Sequence, residues 1–145
     1  MSSFELVQDY ATPVPLQLRW SDQDVNGHVN NVRILTLMEE ARVRVTTMWM
    51  DATSGSVGAK RLVRALNASF EAEVLYGKDT VVWMWICRIG GSSYDLSHLL
   101  VQDGGPCVYT EATMVVIDEF TRRPKVHSGT FRTHLEKHYG PAYSR

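Results

Sequence analysis

Only two of the 145 residues are cysteine, Cys87 and Cys107, and each stands alone inside an apolar run. Two isolated thiols make neither a disulfide framework nor a CxxC motif, so both are expected to be buried and reduced. No apolar run approaches the roughly 20 residues that span a bilayer. The first ten residues carry Glu5 and Asp9, have no basic start and lack the form of an export signal. A cytoplasmic address is expected, with no membrane partner. Charge of one sign is also missing, since 15 Lys and Arg face 16 Asp and Glu. That excludes the broad cationic footprint of a sequence-independent nucleic-acid binder, so no nucleic acid is expected. There is no GxSxG elbow, no GxxxxGK phosphate loop and no GxGxxG after a strand. His134 and His138 are four apart, but the residues between them fit neither HExxH nor HxxEH, so no metal and no cofactor is expected.

What is present is a packed-core composition, 44% hydrophobic and 21% charged, over a length that suits one domain spanning residues 1–145. Pro13 and Pro15 punctuate a lead, after which residues 16–20 alternate apolar and polar as a half-buried strand does. From residue 30 to residue 50 the period changes. Ile34, Met38, Ala41, Val45 and either Met48 or Trp49 recur at spacings of three and four, which makes one apolar helical stripe. Asn30 or Asn31 can cap this helix, Glu40 and Arg44 form an i, i+4 pair on its polar side, and residues 51–58 end it in small residues. Strands are expected over residues 62–75, 81–89, 94–101 and 108–117. Turn chemistry separates them at Tyr76-Gly77-Lys78-Asp79, Gly90-Gly91-Ser92-Ser93 and Asp103-Gly104-Gly105-Pro106. The expected architecture is α+β: an antiparallel meander, curved because its strands are long, with the single long helix on its concave face and a short helix in the tail after Pro124.

The segment Asp22-Gln23-Asp24-Val25-Asn26-Gly27-His28-Val29-Asn30-Asn31 concentrates acids, amides and an imidazole at the strand-to-helix junction. A helix start presents free N–H groups and a positive dipole end, so a carboxylate and an oxyanion site can be neighbours here. Acyl transfer from a thioester needs that pair. The same residues would equally make a plain Asx turn and helix cap.

The block Arg19-Trp20-Ser21-Asp22-Gln23-Asp24-Val25-Asn26-Gly27-His28-Val29-Asn30-Asn31, followed by Glu39-Glu40-Ala41-Arg42, resembles the signature of hot-dog-fold acyl-CoA thioesterases of the 4-hydroxybenzoyl-CoA thioesterase type. The similarity runs on through Tyr76-Gly77-Lys78-Asp79, Ile89-Gly90-Gly91-Ser92-Ser93 and Val115-Val116-Ile117-Asp118. It implies a hot-dog fold, a curved antiparallel sheet wrapped around one central helix. It implies hydrolysis of an acyl-CoA to free acid and coenzyme A, in a homodimer or homotetramer whose sites lie where subunits meet. The family's catalytic carboxylate falls on Asp24, with Asp22 in support, and its oxyanion donor on the N–H of Asn31, joined by that of Asn30. His28 is a substrate contact or a structural histidine. Glu39, about 80° round the helix from Asn31, is a second carboxylate able to face the site. Ser93 falls in the family's serine-containing segment and either touches the thioester region as a substrate contact, with Asn30 and Glu39, or finishes the Gly90-Gly91 turn. Trp83 and Trp85 either line an acyl tunnel or pack the sheet. Lys60, Arg61, Arg64, Arg88, Arg122 and Arg123 are candidates for the coenzyme A phosphates by charge. The alternative function is a non-catalytic acyl-CoA-binding module or sensor. A hot-dog dehydratase or hydratase fits less well, because those relatives carry a different signature.

Overall fold

A computed structural model describes residues 3–49 and 59–144, so Met50 and the small-residue loop expected over 51–58 lie outside the described residues. The order is α1 (Ser3–Val7), β1 (Thr12–Leu16), a 3₁₀ turn (Trp20–Asp22), α2 (Asn31–Trp49), β2 (Ala59–Phe70), β3 (Thr80–Ile89), β4 (Ser93–Gln102), β5 (Gly105–Asp118) and α3 (Gly129–Lys137). Among the described residues the five strands pair antiparallel in one sheet of order β1-β3-β4-β5-β2.

Two expectations are corrected. The alternation read at residues 16–20 is real in burial, with Leu16 and Leu18 inside, but the strand lies earlier, at Thr12–Leu16. Its prolines are tolerated because β1 is an edge strand, where fewer N–H groups have a ladder partner to serve. The meander is also broken, because β2 sits beside β5 at the far edge and not beside β3. Glu71 and Ala72 both donate to the Cys107 carbonyl, and the Gln102 side chain holds the N–H and C=O of Leu75 at 3.0 and 2.9 Å. The chain therefore leaves β2 at Phe70, crosses the end of the β4–β5 hairpin and enters β3 on its other side. That hairpin closes through Asp103 and Gly104, both at positive φ (51° and 72°), as a two-residue Asp-Gly turn requires.

α2 begins where Asn30 caps it, its Oδ1 accepting the Val32 N–H at 2.9 Å. Its stripe of Ile34, Met38, Ala41, Val45 and Trp49 is buried against one sheet face, whereas Met48 is exposed. Truncating Met38 or Val45 to alanine would cost about 1–5 kcal/mol in lost transfer energy and cavity. On the opposite face, α1 and the C-terminal tail cover Trp83 and Trp85, and the Trp85 indole N–H donates to the Pro141 carbonyl at 2.9 Å. Both tryptophans are thus sheet packing, on the side away from α2. Among the described residues no helix is long and apolar enough to cross a membrane.

Candidate active site at the start of the central helix

The motif folds into a short, closed loop. The Asp24 N–H donates to the His28 carbonyl at 2.9 Å and the Gly27 N–H to the Asp24 carbonyl at 3.1 Å, with Gly27 at φ 78°, a conformation that L side chains resist. One layer back, Gln23 and Val29 form an antiparallel bridge, and the Asn30 N–H donates to the Asp22 carbonyl at 2.9 Å. The loop is therefore stitched to the first residue before α2, and Val29 is held in turn by the Val74 carbonyl at 2.8 Å.

The two acids differ sharply in environment. Asp22 is 1% exposed, and its carboxylate accepts the Arg19 N–H at 2.9 Å with the Arg19 guanidinium at 3.4 Å. It ties the turn together. Asp24 is half-buried on the wall of a surface hollow of about 480 Å³ shared with Trp20, Gln23, Val25 and Gly27. One of its oxygens accepts the Asn26 N–H at 2.9 Å, an Asx turn that orients the carboxylate and leaves the second oxygen for other partners.

The helix start divides its donors. Asn30 is committed on three sides: its N–H to Asp22, its Oδ1 to Val32 and its C=O to the Ile34 N–H. Those bonds make Asn30 the cap of α2. Asn31 opens α2, so its N–H lies in the first turn, beyond the reach of any helical carbonyl. His28 places Nε2 at 3.2 Å from the Glu73 carboxylate, which fastens the loop to the segment leading into Val74.

Two further candidates stand apart from this constellation. Glu39 is two turns along α2, about 12 Å from Asn31 by helical rise, and pairs with Arg42 at 3.5 Å. Ser93 is at the other end of the sheet. It pairs with Val115, which pairs with Leu62, whereas the start of α2 lies near Val74 beyond Phe70. The eight residues from Leu62 to Phe70 cover roughly 25 Å of strand, so Ser93 and Asp24 of one chain do not share a site. Ser93 is bound locally, its hydroxyl accepting from Arg88 at 3.0 Å and its carbonyl from His127 Nε2 at 3.0 Å. Of the phosphate candidates, Arg88 is engaged bidentately by Asp95 at 2.8 and 3.1 Å, and Arg61 lies over the Phe131 ring at 5.0 Å. His138 stacks on Trp49, and among the described residues no group of three His, Cys, Asp or Glu side chains is placed to hold a metal ion.

Between α2 and β2 the sheet does not close on the helix. A cleft of about 280 Å³ starts one residue past Asn31, with Val32, Leu35 and Met38 on the helix side and Val63 and Leu66 on the strand side. A register shift at Val63/Ala65 lets Val63 and Leu66 face the same way despite their odd spacing. The floor of this cleft holds a residue of the motif to which the sequence assigned no role. Arg42, with an 11% exposed side chain, reaches within 3.5 Å of His98 Nε2 on β4. His98 is fully enclosed, and burial first, then the neighbouring Arg42 charge, push its pKa down to about 3, so the imidazole is neutral.

The sequence matches the model of the thioesterase-like superfamily over residues 18–131. The chain belongs to this superfamily. Its hot-dog fold recurs in solved structures. A predicted thioesterase from Bacillus stearothermophilus superposes with a TM-score of 0.81 at 22% identity, covering 91% of this chain and 98% of that one. A Thermus thermophilus thioesterase, complexed with coenzyme A and zinc, gives 0.75 at 24% identity, over 86% and 90%. A DHNA-CoA thioesterase from Staphylococcus aureus gives 0.75 at 17%, over 88% and 87%. No curated protein sequence matches the chain.

Proposed function

We propose that this superfamily member hydrolyses acyl-CoA thioesters to free acid and coenzyme A, in the manner of the 4-hydroxybenzoyl-CoA thioesterase type. The reading is supported by the stitching of the Asp24 loop to Asn30, the residue before α2, by the Asx turn that orients the Asp24 carboxylate, and by the position of Asn31 at the helix start, where its N–H has no helical acceptor. With the thioester carbonyl oxygen on that N–H, negative charge developing on oxygen meets a fixed donor and the positive end of the helix dipole. Asp24 then either attacks the carbonyl carbon, expelling the thiolate and leaving an anhydride for water to open, or takes a proton from the water that attacks. Asp22 and His28 hold the loop in place. The coenzyme A named for the Thermus relative supports the choice of thiol.

The smallest working unit is a homodimer, which can pair further into a tetramer. β2 is a twelve-residue edge strand that exposes Leu62, Val63, Leu66 and Phe70, a surface that an isolated sheet would leave open to association. Pairing at that edge covers the cleft and lets a second copy bring its Ser93 region to the Asp24 end. The test is thiol release from a panel of aromatic, short, branched and long acyl-CoAs, with Asp24→Asn as control, alongside light scattering. Turnover lost in a folded Asp24→Asn protein is expected. Tight acyl-CoA binding without thiol release by the parent would select the binding-module alternative, and an active monomer would overturn the dimer.

A further inference from the structure

The cleft beside α2 ends in a charge. Arg42 is eleven residues after Asn31, which is 20° round the helix and about 16 Å along it, so both residues lie on the side of α2 that faces the opening. Arg42 shares the lining of the cleft with Leu35, Val63 and Leu66, so its charge borders an apolar stretch.

The surroundings of this guanidinium are under-satisfied. Its carboxylate contact, Glu39, is single, 3.5 Å long and on a 67% exposed side chain, whereas a strong charge-assisted bond is about 2.7–2.9 Å. Its interior contact, His98 Nε2 at 3.5 Å, is a neutral ring at the edge of hydrogen-bonding distance. Behind it, Thr110 Oγ1 is buried without a partner among the described residues, and it faces His98 across β4 and β5; the His98 ring lies against the Thr110 and Leu96 backbones. Burial disfavours the charged form of Arg42, and Glu39 and then Tyr94 offset this only in part. A buried cation with no close counter-ion is costly to a folded protein, and a carboxylate brought into the cleft would relieve it.

We propose that Arg42 is the distal end of the acyl pocket and that the preferred substrates are acyl thioesters ending in a carboxylate, the mono-CoA esters of medium-length dicarboxylic acids. This rests on the thioesterase reading above. The planar guanidinium matches a carboxylate bidentately, and an acyl chain laid along the aliphatic lining would shield the pair from water. Glu39 occupies the same guanidinium from the solvent side, so it acts as a competitor that the substrate carboxylate replaces.

The experiment compares adipyl-, suberyl- and sebacyl-CoA with hexanoyl-, octanoyl- and decanoyl-CoA by thiol release, in the parent and in Arg42→Met and Glu39→Gln. Charge-assisted hydrogen bonds differ from none by roughly ten- to a hundredfold in affinity, and the parent should favour the best dicarboxylic ester over its monocarboxylic counterpart by at least about tenfold in kcat/KM. Arg42→Met, which keeps an unbranched stem, should erase or invert that preference. Glu39→Gln should enlarge it several-fold through KM, and it decides the matter should Arg42→Met not fold. Equal rates on both series in the parent, a preference that survives Arg42→Met, or one that Glu39→Gln leaves unchanged would each overturn the proposal. In parallel, free suberate should raise the parent's melting temperature more than free octanoate does. If no CoA ester of either series is cleaved but suberate still stabilises, the thioesterase reading fails while the Arg42 site stands.

Discussion

Replacing each of the two motif acids separates stability from chemistry. Asp22 is sealed from water and accepts a backbone N–H at 2.9 Å, with a guanidinium at 3.4 Å, so Asp22→Ala strands the Arg19 N–H and opens the turn on which the Asn30 contact depends. A lost buried hydrogen bond to a charged group is worth about 1–3 kcal/mol. For a domain of this size each kcal/mol lowers the melting temperature by about 3 °C, so a drop of roughly 3–9 °C is expected. Asp24 is half-buried at the rim and gives up only an Asx-turn contact that asparagine can also make, so Asp24→Asn should melt within about 2 °C of the parent. The rates should be reversed. Losing general-base help costs about a hundred- to ten-thousandfold, so Asp24→Asn should fall at least a hundredfold in kcat, whereas folded Asp22→Ala should lose less. Scanning calorimetry paired with thiol release on one preparation of each variant reads both quantities. An Asp24→Asn protein within a few-fold of parental turnover, or a melting order opposite to the one given, would refute the assignment and turn attention to Glu39.

Three further outcomes follow from the same geometry. Asn31→Ala should keep most activity because it leaves the N–H in place, while Asn31→Pro, at a first helical position that accepts proline, should remain folded and lose the oxyanion donor; near-normal turnover in the proline variant would contradict that role. His98 has a folded pKa of about 3 against an ordinary 6.5, so between those values the unfolded chain holds the extra proton and stability falls on acidification. The fall is by up to about 1.4 kcal/mol per pH unit, with no contribution above pH ~6.5, and urea unfolding of His98→Leu should show a flatter dependence from about pH 6 to 4 than the parent. Gly140 lies flat against the Tyr10 ring while its N–H donates to Ile86 at 2.9 Å, so Gly140→Ala should cost about 1–3 kcal/mol by thermal melting; an unchanged melting point would mean that the tail does not dock there.

The parts of the fold that were legible are those whose contacts close within a few residues. The Asp24–His28 loop, the Asn30 cap, the Glu40–Arg44 pair at 3.1 Å and the Asp103-Gly104 turn are each decided by φ preferences and hydrogen bonds between near neighbours. The stripe on α2 was legible for the same reason, since a period of 3.6 residues needs no knowledge of what covers it. Arg42 carried a usable signal, a charge directly following Ala41 and within one turn of Met38 and Val45 on the buried side of a helix. So did His98, a polar residue in the inward-facing alternation of Tyr94, Leu96 and Leu100. What neither signal contained was the partner, because the two residues are 56 positions apart.

Amino-acid order by itself determined an α+β chain with one long amphipathic helix, turn-separated strands and an acid-rich, amide-rich loop at the helix start, because local sterics and periodicity carry that information. Tertiary structure alone decided that β2 runs along the far edge beside β5, that Ser93 stands a sheet's length from Asp24, that the tryptophans pack away from α2, and that Arg42 closes a cleft. These depend on which distant segments meet. The entropy of closing a loop changes so slowly with its length that many pairings compete on nearly equal terms. Burial of the apolar faces together with pairing of every strand selects among them, and both are properties of the whole packed chain.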